Sequence, residues 1–185
     1  MTKISDRISF VDHGNKTTIV ILPARQAWVI ALMGAWLAMW CTIGIVSIWS
    51  LLVLDLKDQE RIILWVFMTF WLYYAQRVAR SFFWILWGQE HLKLDDLGLH
   101  IKKSIRRYGK SIPYYYDNIM ELASDVPEEK SIQSVWEYSP WIQGAERFQF
   151  LYFGKMIKFG KKLTKKEVHL LAQVLDRKMR KYSKK

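Results

Sequence analysis

The sequence is poor in the residues on which small proteins most often build chemistry. It has one cysteine, four histidines and four prolines in 185 residues. A single cysteine excludes an internal disulfide framework, and the histidines at 13, 91, 100 and 169 share no metal-ligand spacing. No glycine-rich phosphate loop, Gly-x-Ser-x-Gly elbow or His-Glu-x-x-His pair occurs. Cys41 lies among apolar neighbours, where a thiol behaves as a small hydrophobe. Asp95 and Asp96 are adjacent carboxylates in a turn sequence, where aspartate is favoured for bonding its own backbone. Catalysis has no visible seat, and the chain reads as a non-enzyme with no metal and no cofactor.

Charge is also missing over one long interval. Ala27 to Leu54 contains no ionisable acid or base, and Thr42, Ser47 and Ser50 are its main polar interruptions. A helix of that length is roughly 42 Å long at about 1.5 Å per residue, enough to cross a hydrocarbon core of about 30 Å. A domain this small has no interior able to cover a helix that is apolar on every side. The run is too long and starts too late for the apolar part of a cleaved signal peptide. A second run, Ile62 to Gly88, follows the polar link Asp55 to Arg61 and is interrupted by Arg77 and Arg80. The pattern predicts a two-helix transmembrane hairpin over 27–88, with spans 27–54 and 62–88 and a link at 55–61.

The chain is rich in aromatics, with ten Trp, nine Tyr and nine Phe. Folding the hairpin about residue 58 sets Trp49 level with Trp65 and Trp28 near Trp87, the amphipathic rings expected at membrane interfaces. Arg77 and Arg80 then fall where long cationic side chains reach headgroup phosphate, and the six residues are read together as membrane anchors. The link balances Lys57 and Arg61 against Asp55, Asp58 and Glu60, whereas Arg7, Lys16 and Arg25 precede the hairpin and Lys93, Lys102, Lys103, Arg106 and Arg107 follow it. The positive-inside bias therefore places both termini in the cytoplasm, in a multi-pass inner (plasma) membrane protein.

Residues 90–185 hold 20 basic and 12 acidic side chains, so most of the formal charge of +11 lies after the hairpin. The pattern there is first period two, then period 3.6. Glu90–Leu94 and Leu99–Ile105 alternate around the turn Asp95–Gly98. A polar turn over 106–110 leads into a strand over 111–116. Residues 119–124 read equally as a strand or a helical turn, and 126–133 as a mobile loop. Residues 147–152 and 156–159 form a hairpin aromatic and β-branched enough to be central. Thr164-Lys165-Lys166-Glu167 is a capping box, with Leu163 placed to staple onto Val168. It opens a helix over 164–182 whose Val168, Leu171, Leu175 and Met179 form the core face.

Two spans, strand hairpins and one C-terminal amphipathic helix resemble, over residues 27–182, the bacterial pleckstrin-homology-like membrane proteins of two-span type. The resemblance rests on Trp87-Gly88-x-Glu90, the Asp95–Gly98 turn, and Phe159-Gly160-x-x-Leu163-Thr164-x-x-Glu167. It implies a strongly bent antiparallel sheet closed by the helix, in a domain that binds partners or lipids. The interval 126–145 is short of strands for such a domain. Ile8–Val11 and Lys16–Leu22, around His13-Gly14-Asn15, read as a further hairpin. A lone hairpin is marginal in water, so residues 1–26 are expected to join the sheet of the 89–185 domain and supply what is missing.

The expected fold class is thus membrane α+β: a transmembrane helical hairpin carrying a cytosolic pleckstrin-homology-like domain. The basic residues are the only chemical feature left. Lys102, Lys103, Arg106, Arg107, Lys110, Lys161 and Lys162 are candidate contacts to anionic lipid, each contributing about 1 kcal/mol near a charged leaflet. Tyr114, Tyr115 and Tyr116 point alternately to opposite faces of a strand, so nucleic-acid binding is not expected. The expected role is binding or scaffolding, with the phospholipid bilayer and another membrane protein or a second copy of the chain as partners. The alternative is an accessory or assembly subunit of a larger membrane complex, with the Trp-rich hairpin as interface.

Overall fold

The computed structural model describes residues 2–125, 139, 141 and 144–183. The chain divides into two compact units, a helical one built on Arg25–Leu86 and a β-rich one built from the residues before and after it. The 126–133 interval and Trp136 lie outside the described residues.

In the helical unit, α1 (Ala27–Val53) and α2 (Asp58–Trp87) are both long and apolar enough to cross a membrane. The link is shorter than the sequence suggests, because α2 begins inside the polar stretch. Lys57 O accepts the Arg61 N–H at 3.0 Å, and Glu60 reaches back to accept the Lys57 N–H at 3.0 Å. Asp58 and Glu60 also place negative charge in the first turn, where it complements the helix dipole. At its other end α2 stops at Trp87, and Gly88 already belongs to the next strand.

The two helices are locked by a reciprocal pair of bonds. Trp40 Nε1 donates to Trp71 O at 3.1 Å and Trp71 Nε1 donates to Trp40 O at 2.8 Å. Each buries an indole N–H against a carbonyl with a free lone pair, which matters most where no water can substitute. Gly44 makes room for this: a methyl group there would overlap the Trp71 ring. Trp36 stacks on Trp40 with centroids 4.8 Å apart, and Val29, Met33, Val78 and Ile85 form a small apolar cluster beside Phe82. The apolar ends of the two runs, 28–34 and 82–87, thus pack on each other within the hairpin, at least through Met33, Phe82 and Ile85.

Among the described residues the β-rich unit has nine strands: β1 (Thr2–Lys3), β2 (Ile8–Asp12), β3 (Thr17–Ile21), β4 (Gly88–Leu94), β5 (Gly98–Ile105), β6 (Ser111–Tyr115), β7 (Ile119–Ser124), β8 (Glu146–Tyr152) and β9 (Lys155–Lys161). They form two antiparallel sheets, one of six strands in the order β1 to β6 and one of three in the order β7-β8-β9. β8 is central and β9 is an edge strand, so only half of that hairpin takes the central place its composition suggests. The undecided segment 119–124 is a strand, with a bulge between Met120 and Ala123. β3 pairs with β4 in the register Thr17↔Leu94 to Ile21↔Glu90, joining the N-terminal segment to the strands that follow the hairpin.

One core closes both sheets. Period two sends Ile19 and Ile21, Leu92 and Leu94, and Leu99 and Ile101 to the same face, against Phe148, Phe150 and Phe159 from the smaller sheet. Tyr114 meets Phe150 and Tyr152 edge-on at 5.2 and 5.0 Å. The last helix, α3 (Lys165–Ser183), covers this core with Val168, Leu171, Leu175 and Tyr182. Each such side chain contributes about 1.5–3 kcal/mol on burial. The capping box is present: Thr164 N donates to Glu167 Oε2 at 2.9 Å and Glu167 N donates to Thr164 Oγ1 at 3.3 Å. At its far end Tyr182 Oη bonds Thr17 Oγ1 at 3.1 Å, and Lys178 pairs with Asp12.

Two glycines give a paired test of the hairpin lock. A methyl group at Gly34 would sit 3.6 Å from Phe82, ordinary contact, so Gly34→Ala should leave the thermal midpoint of the purified protein unchanged or raised. Gly44→Ala should lower stability by about 1–3 kcal/mol, because the Trp71 ring must move and its bonds to Trp40 with it. Equal midpoints for the two variants would remove the lock.

Candidate functional site

The strand registers define two ends of the larger sheet. At one end β4 begins directly after α2, and β3 finishes opposite it and runs through Leu22–Gln26 into α1. We call this the helix-linked end. Gly88 pairs with Ile105, which places the β5–β6 turn there too. Glu90, the third residue of β4, accepts the Gly160 N–H at 2.7 Å and the Lys161 N–H at 3.2 Å, bringing the last residues of β9 to the same end. Arg7 donates to Leu22 O at 3.0 Å, to Lys162 O at 3.0 Å and to Glu167 at 3.2 Å, so α3 starts there as well.

The basic residues 102–110 meet those of 161–166 at the helix-linked end, while Lys155, at the start of β9, lies at the other end. Its exposed charged side chains include Arg106, Arg107, Lys110, Lys165 and Lys166 against Asp6. The opposite end carries Asp12, Asp95, Asp96 and Asp117 together with the exposed cations Lys16 and Lys155 and, on the last turns of α3, Arg177, Arg180 and Lys181. There Asp95 shapes its turn by accepting from the Leu97 and Gly98 amides at 3.2 Å each, and pairs with Lys93 at 2.8 Å and His100 at 3.2 Å. Its carboxyl is lowered: burial opposes the shift, but the Lys93 hydrogen bond, the His100 charge and the two amides outweigh it.

Three of the seven candidate lipid contacts are committed inside the protein. Lys103 lies on the same face of β5 as Leu99 and Ile101, and its ammonium donates to Glu146 Oε1 at 2.7 Å and Lys158 O at 2.8 Å. Lys161 Nζ lies 3.9 Å from the same Glu146 oxygen, and burial lowers its pKa. Lys162 Nζ donates to Ser139 O at 2.7 Å, and burial, reinforced by the Arg7 charge, brings its pKa down to about 8. Lys103 and Lys161 join strands to one another, and Lys162 holds the chain at Ser139. Glu90, which accepts the Gly160 and Lys161 amides, is only 1% exposed, and burial pushes its carboxyl above the ordinary range although those amides favour its charge.

The exposed remainder centres on the β5–β6 turn, which is tighter than the five residues its composition suggests. Ile105 N donates to Tyr108 O and Tyr108 N to Ile105 O, both at 3.0 Å, leaving a two-residue turn at Arg106-Arg107. Both central residues have positive φ, 50° and 74°. That is the sign pattern of a type I′ hairpin turn, for which Asn-Gly is the favoured pair. Left-handed conformation costs an ordinary side chain roughly 1–2 kcal/mol per residue. Arg106 N also donates to Trp87 O at 3.2 Å, and its guanidinium lies 3.9 Å from the Trp87 ring centroid. Tyr108 follows, 86% exposed. Lys102 is half-buried on β5, and Lys110 is exposed just before β6.

The remaining predicted anchors lie on the helices. Trp28, Trp49 and Trp65 are all exposed, as are Arg77, whose Nη1 donates to Tyr73 Oη at 3.1 Å, and Arg80. Sequence reasoning missed Arg7, Glu146 and the buried state of Glu90. The last was signalled, since Glu90-x-Leu92-x-Leu94 puts the carboxylate on the apolar face of its strand. Among the described residues no three His, Cys, Asp or Glu side chains gather to hold a metal ion. Compared with known proteins, the chain matches no family model, no curated protein and no solved structure.

Lys162 yields a pH test. An amine whose folded pKa lies below its unfolded value penalises folding while it is charged, and the penalty is relieved as pH rises from about 8 towards 10.5. The thermal midpoint of the wild type should therefore rise relative to that of Lys162→Met between pH 7 and pH 10. A constant difference across that range would show that the ammonium is not held away from water.

Proposed function

We propose that this protein is a membrane-anchored, non-enzymatic binding module: α1 and α2 span the inner membrane as a hairpin, and the β-rich unit, pleckstrin-homology-like in its closing helix, lies at the cytoplasmic face. One observation carries the reading. The exposed Arg106-Arg107 turn lies with Lys110, Lys165 and Lys166 at the end of the β-rich unit from which both helices depart, and the acidic turns lie at the other. In a membrane protein this sets cations against anionic lipid phosphate, as the positive-inside bias requires.

Further support comes from the surface of the helices. Ile45, Leu52, Ile62, Ile63, Phe70 and Leu72 are exposed, apolar surface that water does not favour and lipid does. Arg77 and Arg80 act as depth markers by extending their guanidiniums to headgroup level. The module's work is positional: the hairpin fixes the distance of the β-rich unit from the bilayer, and a lipid or a neighbouring membrane protein is the ligand it meets there.

The test is topology in cells. The protein should resist carbonate extraction. In a Cys41→Ser background, a cysteine replacing Leu56 in the α1–α2 link should react with an impermeant maleimide from the outer side, and one replacing Lys166 should react only after the membrane is opened. Extraction by carbonate, or labelling of both sites from one side, rejects the two-span reading.

A further inference from the structure

The β5–β6 turn breaks a local rule at both of its central positions. A two-residue hairpin turn with two positive φ values favours asparagine followed by glycine, yet arginine occupies both positions. A sequence selected for the stability of this hairpin alone would not place two long cationic side chains there. Residues held against their conformational preference point to work done elsewhere than in the fold.

Three features give the direction of that work. The turn is tied to Trp87, the last residue of α2, by a backbone bond and by the stack of Arg106 on the indole. Stacking leaves the guanidinium N–H groups, which lie in its plane, available for phosphate. Seven residues separate Trp87 from Arg80. Along a helix that is about 10 Å, comparable to the Debye length of about 8–10 Å at moderate salt. Tyr108, beside the arginines and almost fully exposed, combines an apolar ring with a polar tip, as suits a membrane interface.

We infer that the Arg106-Arg107 turn, with Tyr108 and Lys110, is a docking tip for anionic phospholipid headgroups in the leaflet that α2 leaves. This deepens the proposed function and rests on its two-span reading. The tip binds phosphate oxygens by charge and hydrogen bonds, and it sets the orientation of the β-rich unit on the surface.

The experiment uses the full-length chain in a Cys41→Ser background, with a fluorophore on a cysteine replacing Ser111, the exposed residue that opens β6. The protein is reconstituted into vesicles of phosphatidylcholine alone or with phosphatidylglycerol, each containing a lipid-borne quencher, and every sample is floated first. Quenching should rise with the phosphatidylglycerol fraction. The double variant R106N/R107G should lower the docked-to-undocked ratio roughly 30-fold, about five-fold per charge removed, while raising the thermal midpoint, because the turn gains its favoured residues. Tyr108→Ser should weaken quenching without changing its dependence on lipid charge.

A floating sample whose quenching is equal in neutral and anionic vesicles, or unchanged by R106N/R107G, overturns the tip and leaves the two-span reading standing. A lowered thermal midpoint in that double variant also overturns it, since the arginines would then serve the fold. A sample that does not float overturns the two-span reading, and the tip with it.

Discussion

The pairing of β3 with β4 is the constraint on which the rest of the molecule depends. These strands are neighbours in the sheet but lie on either side of the whole helical hairpin in the chain. The hairpin is in effect an insertion in the turn of a β-hairpin. Because Ile21 stands opposite Glu90, the chain leaves for α1 and returns from α2 at the same end of the sheet. An antiparallel ladder with one buried face tolerates no slip, since a shift of one residue would turn Ile19, Ile21, Leu92 and Leu94 outward together. Register therefore fixes where the helices attach, and the attachment point decides which turns and strand ends are carried beside it.

Buried polar groups pin that end. Glu90 sits on the apolar face of β4 and bonds two amides of β9, across from the sheet to which it belongs. Arg7 ties the segment before β2 to Leu22, to Lys162 and to the cap of α3. Lys103 and Lys161 converge on Glu146. A buried charge with its partners removed costs several kcal/mol, so each contact disfavours arrangements in which the sheets slide past one another. Aromatic packing elsewhere in the core is more forgiving, because rings of similar size can repack. In this unit the polar links specify one relation between the sheets, while the apolar core supplies most of the driving force.

Much of this was legible locally, and what was not is non-local. The charge-free interval 27–54 announced α1, the Asp95–Gly98 sequence its turn, and Thr164-x-x-Glu167 its cap, because each is decided by neighbours within a few residues. The start of α2 was misplaced because Asp58 and Glu60 look like a polar link and act as first-turn acids. Lys103, Lys161 and Lys162 looked like surface cations, since nothing within their own strands shows that Glu146, Lys158 or Ser139 comes to meet them. The convergence of the basic residues 102–110 and 161–166 was equally hidden. It follows from Glu90 reaching β9, a contact between residues 70 positions apart.

The Arg106-Arg107 turn shows how a local rule and a functional demand are separated. Were the arginines there for folding, their charge would be compensated nearby, as that of Lys103 is by Glu146. Among the described residues the contacts of Arg106 are instead to the ring and the backbone carbonyl of Trp87, which hold the guanidinium in place without neutralising it. A cation fixed by stacking has already lost much of its rotamer freedom, so less entropy remains to be lost when an anion binds. The unfavourable φ values act in the same direction, because a tight turn holds both arginines close to the end of α2 where a looser loop would let them swing away. The conformational cost lies in the turn, and on the proposed reading the gain lies in preorganisation towards an anion.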